Sequence, residues 1–352
     1  MMFQPIELTI EISGFCNAKC PYCVKGSGAQ KPGGFMSVDT FDKILGHFRT
    51  NRLLPKSGCI SLFNWGEPFL HPELNEILRI VGKYGLHAYI SSNLIYLPEL
   101  TRESLSVLKG LTISLSGLSQ ASYGYIYGKQ LTTVLRNIDG LQQMLTDAGC
   151  EWKPTVNWHR YRFNEIELET AKTYFCKRGV QFYPSVAHLN DIKRTEDYFF
   201  GNSLYTSERE KIKNDLFTEY LKQCYLKNSD INYHCPQWSN VVIDENANLL
   251  VCCGFSSEVK GVVLGSIFDY DSKNIESVKK SFPFCCKCLE HGFSKYAHKE
   301  GNFNLLVRGL IIVRNVLKRL GLTHFIPEKG MKIVFSLAAN LIIKRQIPLL
   351  KK

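Results

Sequence analysis

The chain has 352 residues, is 45% hydrophobic and 21% charged, and carries a net charge of +11 at pH 7. That composition excludes a disordered or collagen-like chain, and the length suits one large domain plus a smaller one. The charge is lopsided: residues 303–352 hold ten Lys and Arg against Glu328 alone, so the body of the chain is nearly neutral.

The opening MMFQPIELTI has neither the basic nor the apolar region of a signal peptide. No run of 18 uninterrupted apolar residues suggests a spanning helix. Thirteen cysteines without an export signal point to a reducing, cytoplasmic setting. Clustered cysteines there are more often metal ligands or catalytic groups than disulfides.

The first strand-like run, IELTIEI (6–12), leads into ISGFCNAKCPYCVKG, which crowds Cys16, Cys20 and Cys23 together with no fourth cysteine nearby. A structural zinc site closes its shell with four protein ligands. A [4Fe–4S] cluster on three thiolates leaves one iron open for an external chelating ligand. A helical stretch (39–51) precedes the second strand, CISLFN (59–64), which ends in NWGEP (64–68). Helix 73–84 and strand LHAYISS (86–92) follow, then helix 101–108 and strand LTISLS (111–116). Helix 132–148, strand PTVNWH (154–159), helix 165–178 and strand VQFYP (180–184) complete six strand–helix units. This alternation predicts an α/β fold with parallel βα units, a partial (β/α)6 TIM-like barrel, with a doubly wound sheet as the alternative.

Several strands alternate polar and apolar residues, which favours the barrel. His87, Tyr89, Ser91 and Asn93 form one polar row; Thr112, Ser114 and Ser116 a second; Thr155, Asn157 and His159 a third. Period-two alternation gives each strand one polar face for a lumen and one apolar face for the helices. His159, Arg160 and Arg162 are candidates for binding a polar or anionic substrate; His159 is a candidate proton acceptor, with a packed or solvated histidine as the favoured alternative.

Residues 1–188 are thus expected to form the barrel and 189–234 a bridge with a helix near 207–224. Residues 235–292, with six cysteines, form a small unit of a short β-hairpin plus a helix, and 293–352 a basic helical tail.

CNAKCPYC resembles the cluster motif of the radical S-adenosylmethionine (radical SAM) enzymes, and the resemblance extends through about the first 185 residues. It implies that Cys16, Cys20 and Cys23 hold a [4Fe–4S] cluster whose open iron binds the methionyl group of S-adenosylmethionine (AdoMet). NWGEP is similar to the family's GGEP element, with Gly66, Glu67 and Pro68 retained and Trp65 in place of the first glycine. By the same resemblance Ser91, Asn93, Ser114, Ser116 and Asn157 at strand ends contact AdoMet, and Tyr22 lies beside its adenine. The chemistry implied is reductive cleavage of AdoMet to a 5′-deoxyadenosyl radical, which takes hydrogen from a substrate.

The later cysteines resemble the SPASM/twitch extension of these enzymes. The resemblance implies one auxiliary [4Fe–4S] cluster on Cys235, Cys252, Cys285 and Cys288, with Cys253 as a stand-in for Cys252. A four-cysteine zinc site is the rival. The usual hairpin glycine of that extension is Ala247 here.

The barrel begins almost at the first residue, which favours a small-molecule substrate: a sugar, an aminocyclitol or a lipid-linked carbohydrate, dehydrogenated or epimerised. The alternatives are a peptide or protein maturase and a non-enzymatic zinc-binding protein. The expected reducing partner is of the flavodoxin or ferredoxin kind. The tail's basic amphipathic pattern suits either peripheral contact with the inner membrane face or docking on the body with its cations solvated. Nucleic acid is not expected, since residues 303–352 offer only Phe303, Phe325 and Phe335 for stacking.

Overall fold

The computed structural model describes residue 5 and residues 7–201, 206–218, 225–226 and 229–294. The tail expected over 293–352 lies outside the described residues from 295 onward, and the membrane contact expected of it lies there too. Two compact units are present: one takes in the described residues of 1–204 and 234–283, the other those of 205–233 and 284–352.

The larger unit is built on one nine-stranded sheet. Its first six strands are β1 (Leu8–Ile10), β2 (Cys59–Ser61), β3 (His87–Ser92), β4 (Leu108–Leu115), β5 (Thr155–Arg160) and β6 (Gln181–Val186). They pair in parallel and in sequence order, as strand–helix–strand crossovers require. The intervening helices are α1 (Val38–Thr50), α2 (Leu74–Lys83), α3 (Arg102–Val107), α4 (Gln120–Tyr127), α5 (Leu131–Ala148) and α6 (Leu168–Lys177). This is the partial (β/α)6 barrel expected.

The helices form where the apolar spacing dictates. Phe41, Ile44, Leu45 and Phe48 of α1 fall on one buried stripe, as do Val134, Ile138, Leu141 and Leu145 of α5. Ser37 caps α1 by accepting the Thr40 N–H, and Gly149, in the left-handed region at φ 70°, ends α5. These stripes cover the apolar strand row of Ala88, Ile90, Ile113, Leu115, Val156 and Trp158, all buried. The opposite row, with Ser91, Ser114, Asn157 and His159, stays half-buried on the lumen side.

β7 (Val241–Ile243) lies parallel to β1, pairing Leu8 with Val241 and Ile10 with Ile243. The antiparallel strands β8 (Asn248–Leu250) and β9 (Val263–Ser266) continue the sheet. Residues 235–283 of the expected C-terminal segment therefore extend the barrel sheet beyond β1. The β7–β8 turn places Ala247 at φ 62°, which is why glycine suits that position. Asp244 holds the turn, its Oδ1 accepting the N–H groups of Asn246 and Asn248.

In the bridge, α7 (Ile192–Phe200) is a helix the sequence reading missed. Asp191 caps it, accepting the N–H groups of Lys193 and Arg194, and its other oxygen accepts the Ser256 N–H at 3.0 Å. A short helix, α9 (Ile275–Lys280 in the larger unit), follows β9, while α8 (Thr206–Asp215) belongs to the smaller unit. α10 (Phe284–Glu290) is also in the smaller unit, where Leu289 O accepts the Asp230 N–H and Tyr225 packs edge-on to Phe293 at 5.2 Å. Among the described residues no helix is long and apolar enough to cross a membrane.

Candidate functional site

At the C-terminal ends of β1–β5 the larger unit opens a cavity of about 140 Å³. The loop leaving β1 supplies its floor. Cys23 N–H bonds to Cys20 O and Ser27 N–H to Cys23 O, winding the loop into successive turns. Gly26 passes so close to Cys20 that an added Cβ would lie 2.3 Å from its backbone nitrogen. Cys16, Cys20, Cys23 and Tyr22 all line the cavity, as the sequence predicts.

NWGEP forms the adjoining wall. Gly66 passes close to the chain leaving β1, and a Cβ there would sit 1.8 Å from Ser13 O. The Glu11 carboxylate, just past the end of β1, fixes this approach: its Oε1 accepts the N–H groups of Trp65 at 2.8 Å and Gly66 at 2.6 Å. Glu67 caps the turn that follows it and braces the end of β3, its carboxylate accepting the N–H of Phe69 at 3.1 Å and of Asn93 at 2.7 Å. Burial pushes both carboxyls up to about 7, with Glu245 adding to the rise at Glu11.

Ser91 and Asn93 from β3, Ser114 from β4 and His159 from β5 also face the cavity. Three predicted residues do not. Pro68 starts a buried 3-10 turn, Ser116 is buried beneath with its Oγ 3.1 Å from the Tyr127 hydroxyl, and Asn157 lies one step behind His159. Asn157 Oδ1 accepts the Ser185 hydroxyl at 2.6 Å, which turns its Nδ2 towards His159 Nε2 at 3.2 Å. That ring nitrogen therefore accepts, and the proton sits on Nδ1, facing Ser116 Oγ at 3.5 Å. Burial, reinforced by His188, lowers the His159 pKa to about 4. His159 is thus a neutral hydrogen-bonding group and a weak base, the packed histidine of the favoured alternative and not the candidate proton acceptor.

Arg160 is a second correction. Alternation along β5 turns it away from the lumen, where it is buried and makes a two-pronged ion pair with Glu165 at 2.6 and 3.1 Å. It is not available to a substrate.

The cavity also includes residues the sequence reading missed: Asn64, Trp65, Tyr127, Tyr161 and Asn190. Asn64 and Trp65 could have been found as part of NWGEP, and Tyr161 as the next residue of the row 155, 157, 159. Trp65 is itself buried, and its indole N–H donates to Phe255 O at 3.3 Å.

Among the described residues no three His, Cys, Asp or Glu side chains close on a single metal ion. The triad need not, because a cubane cluster spreads three thiolates over three separate irons. The donor set fits such a cluster with one iron left for AdoMet. Asn64 Nδ2 adds a second mark of fit: it is buried in the cavity wall with no hydrogen-bond partner, a donor awaiting an acceptor.

The second cysteine set is divided between the units. Cys235 and Cys252 are buried in the larger one; Cys285 and Cys288 lie one turn apart on α10 of the smaller one. Cys252 Sγ accepts the Gly254 N–H at 3.4 Å, whereas Cys253 is exposed.

Residues 10–144 match the sequence family described as the Radical SAM superfamily. One curated relative, a PqqA peptide cyclase of Bradyrhizobium diazoefficiens, is 23% identical over 242 residues, 63% of this chain and 59% of its own length. A second, the PqqA peptide cyclase of Rhodopseudomonas palustris, is 26% identical over 105 residues, 30% of this chain and 26% of the relative. The match thus spans less than two thirds of either relative. Among solved structures, Streptococcus suis SuiB bound to its precursor peptide SuiA superposes with a TM-score of 0.53 at 16% identity, covering 82% of this chain and 66% of SuiB. The structure of anSMEcpe with AdoMet and a Cp18Cys peptide gives 0.50 at 15% identity, covering 89% and 99%. At these identities the superpositions speak to the fold. The family match brings with it a [4Fe–4S] cluster and AdoMet, which the cavity's residues fit.

Proposed function

We propose, from the premise that residues 10–144 are a radical SAM domain, that the protein is an enzyme that removes hydrogen from a peptide substrate. The observation that carries the chemistry is the convergence of Cys16, Cys20 and Cys23 with Gly66, Glu67 and Asn93 on one cavity. The carbohydrate-type substrate expected from the sequence is corrected. Both curated relatives are peptide cyclases, and the superposed structures were solved with a precursor peptide and with a Cp18Cys peptide. The starting point of the barrel was a poor guide, because it says nothing of what the cavity admits.

When bound, the cluster and AdoMet supply the hydrogen-abstracting chemistry. The protein's part is placement and shelter. Glu11 fixes the 65–66 backbone against the chain leaving β1, Asn64 offers a buried donor, and neutral His159, its Nε2 held by Asn157, adds an uncharged wall to the cavity. Tyr22, Trp65 and Tyr161 line the wall with buried aromatic surface that excludes water.

An auxiliary cluster on Cys235, Cys252, Cys285 and Cys288 belongs to the same reading, supported by the sequence pattern. Burial and the Gly254 N–H favour Cys252 over Cys253. The cytoplasm is the setting proposed, on the strength of this thiol chemistry.

The test is anaerobic reconstitution with iron and sulfide, followed by AdoMet, dithionite and short peptides encoded beside the gene. The reading expects about eight irons per chain, release of 5′-deoxyadenosine, and a changed mass in one peptide. Stoichiometric zinc without AdoMet cleavage would sink the enzyme. Cleavage that alters no peptide would sink the substrate class.

A further inference from the structure

The turn after β3 is held in a conformation that local preference does not explain. Leu94, buried and without a glycine's freedom, sits at φ 52°. Three side chains enforce it. Ser92 Oγ accepts the Leu94 N–H at 2.9 Å, Asn93 Oδ1 accepts the Ile95 N–H at 2.9 Å, and Asn137 Nδ2 donates to Leu94 O and Ile95 O. Glu67 holds the backbone N–H of Asn93 from the other side at 2.7 Å.

What this turn produces is a fixed amide. Because Oδ1 of Asn93 is committed to the Ile95 N–H, its NH2 must face the opposite way. There Nδ2 lies 2.8 Å from Asn17 Oδ1 and 3.7 Å from Cys16 Sγ. The amide cannot be flipped without setting two oxygens against each other and two donors together.

We infer that Asn93 is a positioning residue for the cluster: its amide donates an N–H···S hydrogen bond to the Cys16 sulfur, holding that ligand and raising the cluster's reduction potential. This rests on the radical SAM reading of the triad and revises the AdoMet contact expected of Asn93. The physical basis is general. Hydrogen bonds to ligating sulfurs disperse negative charge, and one added electron makes that dispersal worth more. No bond forms or breaks in the step; one electron enters from the reductant.

The experiment is an EPR-monitored redox titration of the reconstituted full chain without AdoMet, with dithionite as reductant, on wild type, Asn93→Leu and Asn93→Asp. The AdoMet-responsive signal identifies the cluster on the triad. Expected is a more negative midpoint in both variants, with the reduced-to-oxidised ratio at a fixed potential falling by up to about tenfold. Asn93→Asp, matched in size and still able to accept the Ile95 N–H, decides the matter if the Leu variant loses iron. In wild type labelled with side-chain 15N asparagine, a weak nitrogen coupling to the reduced cluster is expected, and it vanishes in Asn93→Asp. Unchanged midpoints, or no such coupling, would overturn the inference while leaving the enzyme reading intact. A chain that takes up no cluster on Cys16, Cys20 and Cys23 would overturn the enzyme reading itself.

Discussion

Glu11 accepts the backbone N–H of Gly66 at 2.6 Å, and the same oxygen takes the Trp65 N–H. One carboxylate thus joins the end of the first strand to the loop after the second, and it does so in a buried place. Burial, then the nearby Glu245, lifts its pKa from 4.5 to about 7. A carboxyl with a raised pKa in the fold favours folding below its unfolded value, and that contribution is lost as pH rises through the folded value. Wild type should therefore lose stability between pH 4.5 and 7 relative to Glu11→Gln, by on the order of 3 kcal/mol. Thermal unfolding of the iron-free protein at pH 5 and pH 8 checks this; parallel shifts in the two proteins would count against it.

Gly66, which donates to Glu11, and Gly33, which packs on Glu245, test two close approaches beside this joint. A Cβ on Gly66 would meet Ser13 O at 1.8 Å and Phe15 O at 3.0 Å, both backbone atoms. Gly66→Ala should destabilise by more than about 3 kcal/mol and abolish AdoMet binding in equilibrium dialysis. A Cβ on Gly33 would meet the Glu245 side chain at 1.7 Å, a group that can be removed. Glu245→Ala should therefore recover about 1 kcal/mol or more of the Gly33→Ala loss. Additive losses in the double mutant would show that the clash lies elsewhere.

These contacts mark where sequence reading stops. The barrel was legible because period-two strands alternate with helices of 3.6-residue periodicity, and the triad because three thiols in eight positions have few uses. The β1–β7 pairing was not legible: nothing in VVI (241–243) distinguishes β1 as its neighbour from any other edge. α4 was missed because QASYGYIY mixes buried and exposed aromatics without a clear apolar stripe. Glu11 was overlooked as one of two acids in IELTIEI, where neither carries a local sign of the N–H groups it will meet. Arg160 is the instructive error. The alternation that put His159 in the lumen also put its neighbour outside, and only the attraction of adjacent cations obscured that.

His159 should leave no mark on the pH dependence of AdoMet cleavage between pH 6 and 8, because its pKa lies near 4. The sign for stability is opposite to that of Glu11. A depressed histidine favours the fold above its unfolded value of 6.5, and that contribution is lost as pH falls through about 4. His159→Asn should flatten stability between pH 6.5 and 4. A limb near pH 6.5 in the cleavage profile, removed by the same substitution, would restore His159 as a proton acceptor.

Ala247 tests the hairpin turn. At φ 62° its Cβ is strained, and glycine would relieve about 1 kcal/mol, offset in part by greater freedom of the unfolded chain. Ala247→Gly should be neutral or stabilising, and Ala247→Val destabilising. The reverse order in denaturant unfolding would mean that the turn is not left-handed.

Arg160 separates a structural cation from a substrate-binding one. Its guanidinium is buried and pairs with Glu165 through two nitrogens. Removing one partner strands the other charge in a poorly hydrated site, which costs more than the pair contributes. Arg160→Met should therefore destabilise by about 3 kcal/mol or more, and adding Glu165→Leu should recover much of that loss by leaving no charge behind. If Arg160 served a peptide carboxylate instead, the double mutant would regain stability yet bind peptide more weakly. The geometry predicts that stability and peptide binding, read by unfolding and by titration of the folded double mutant, recover together.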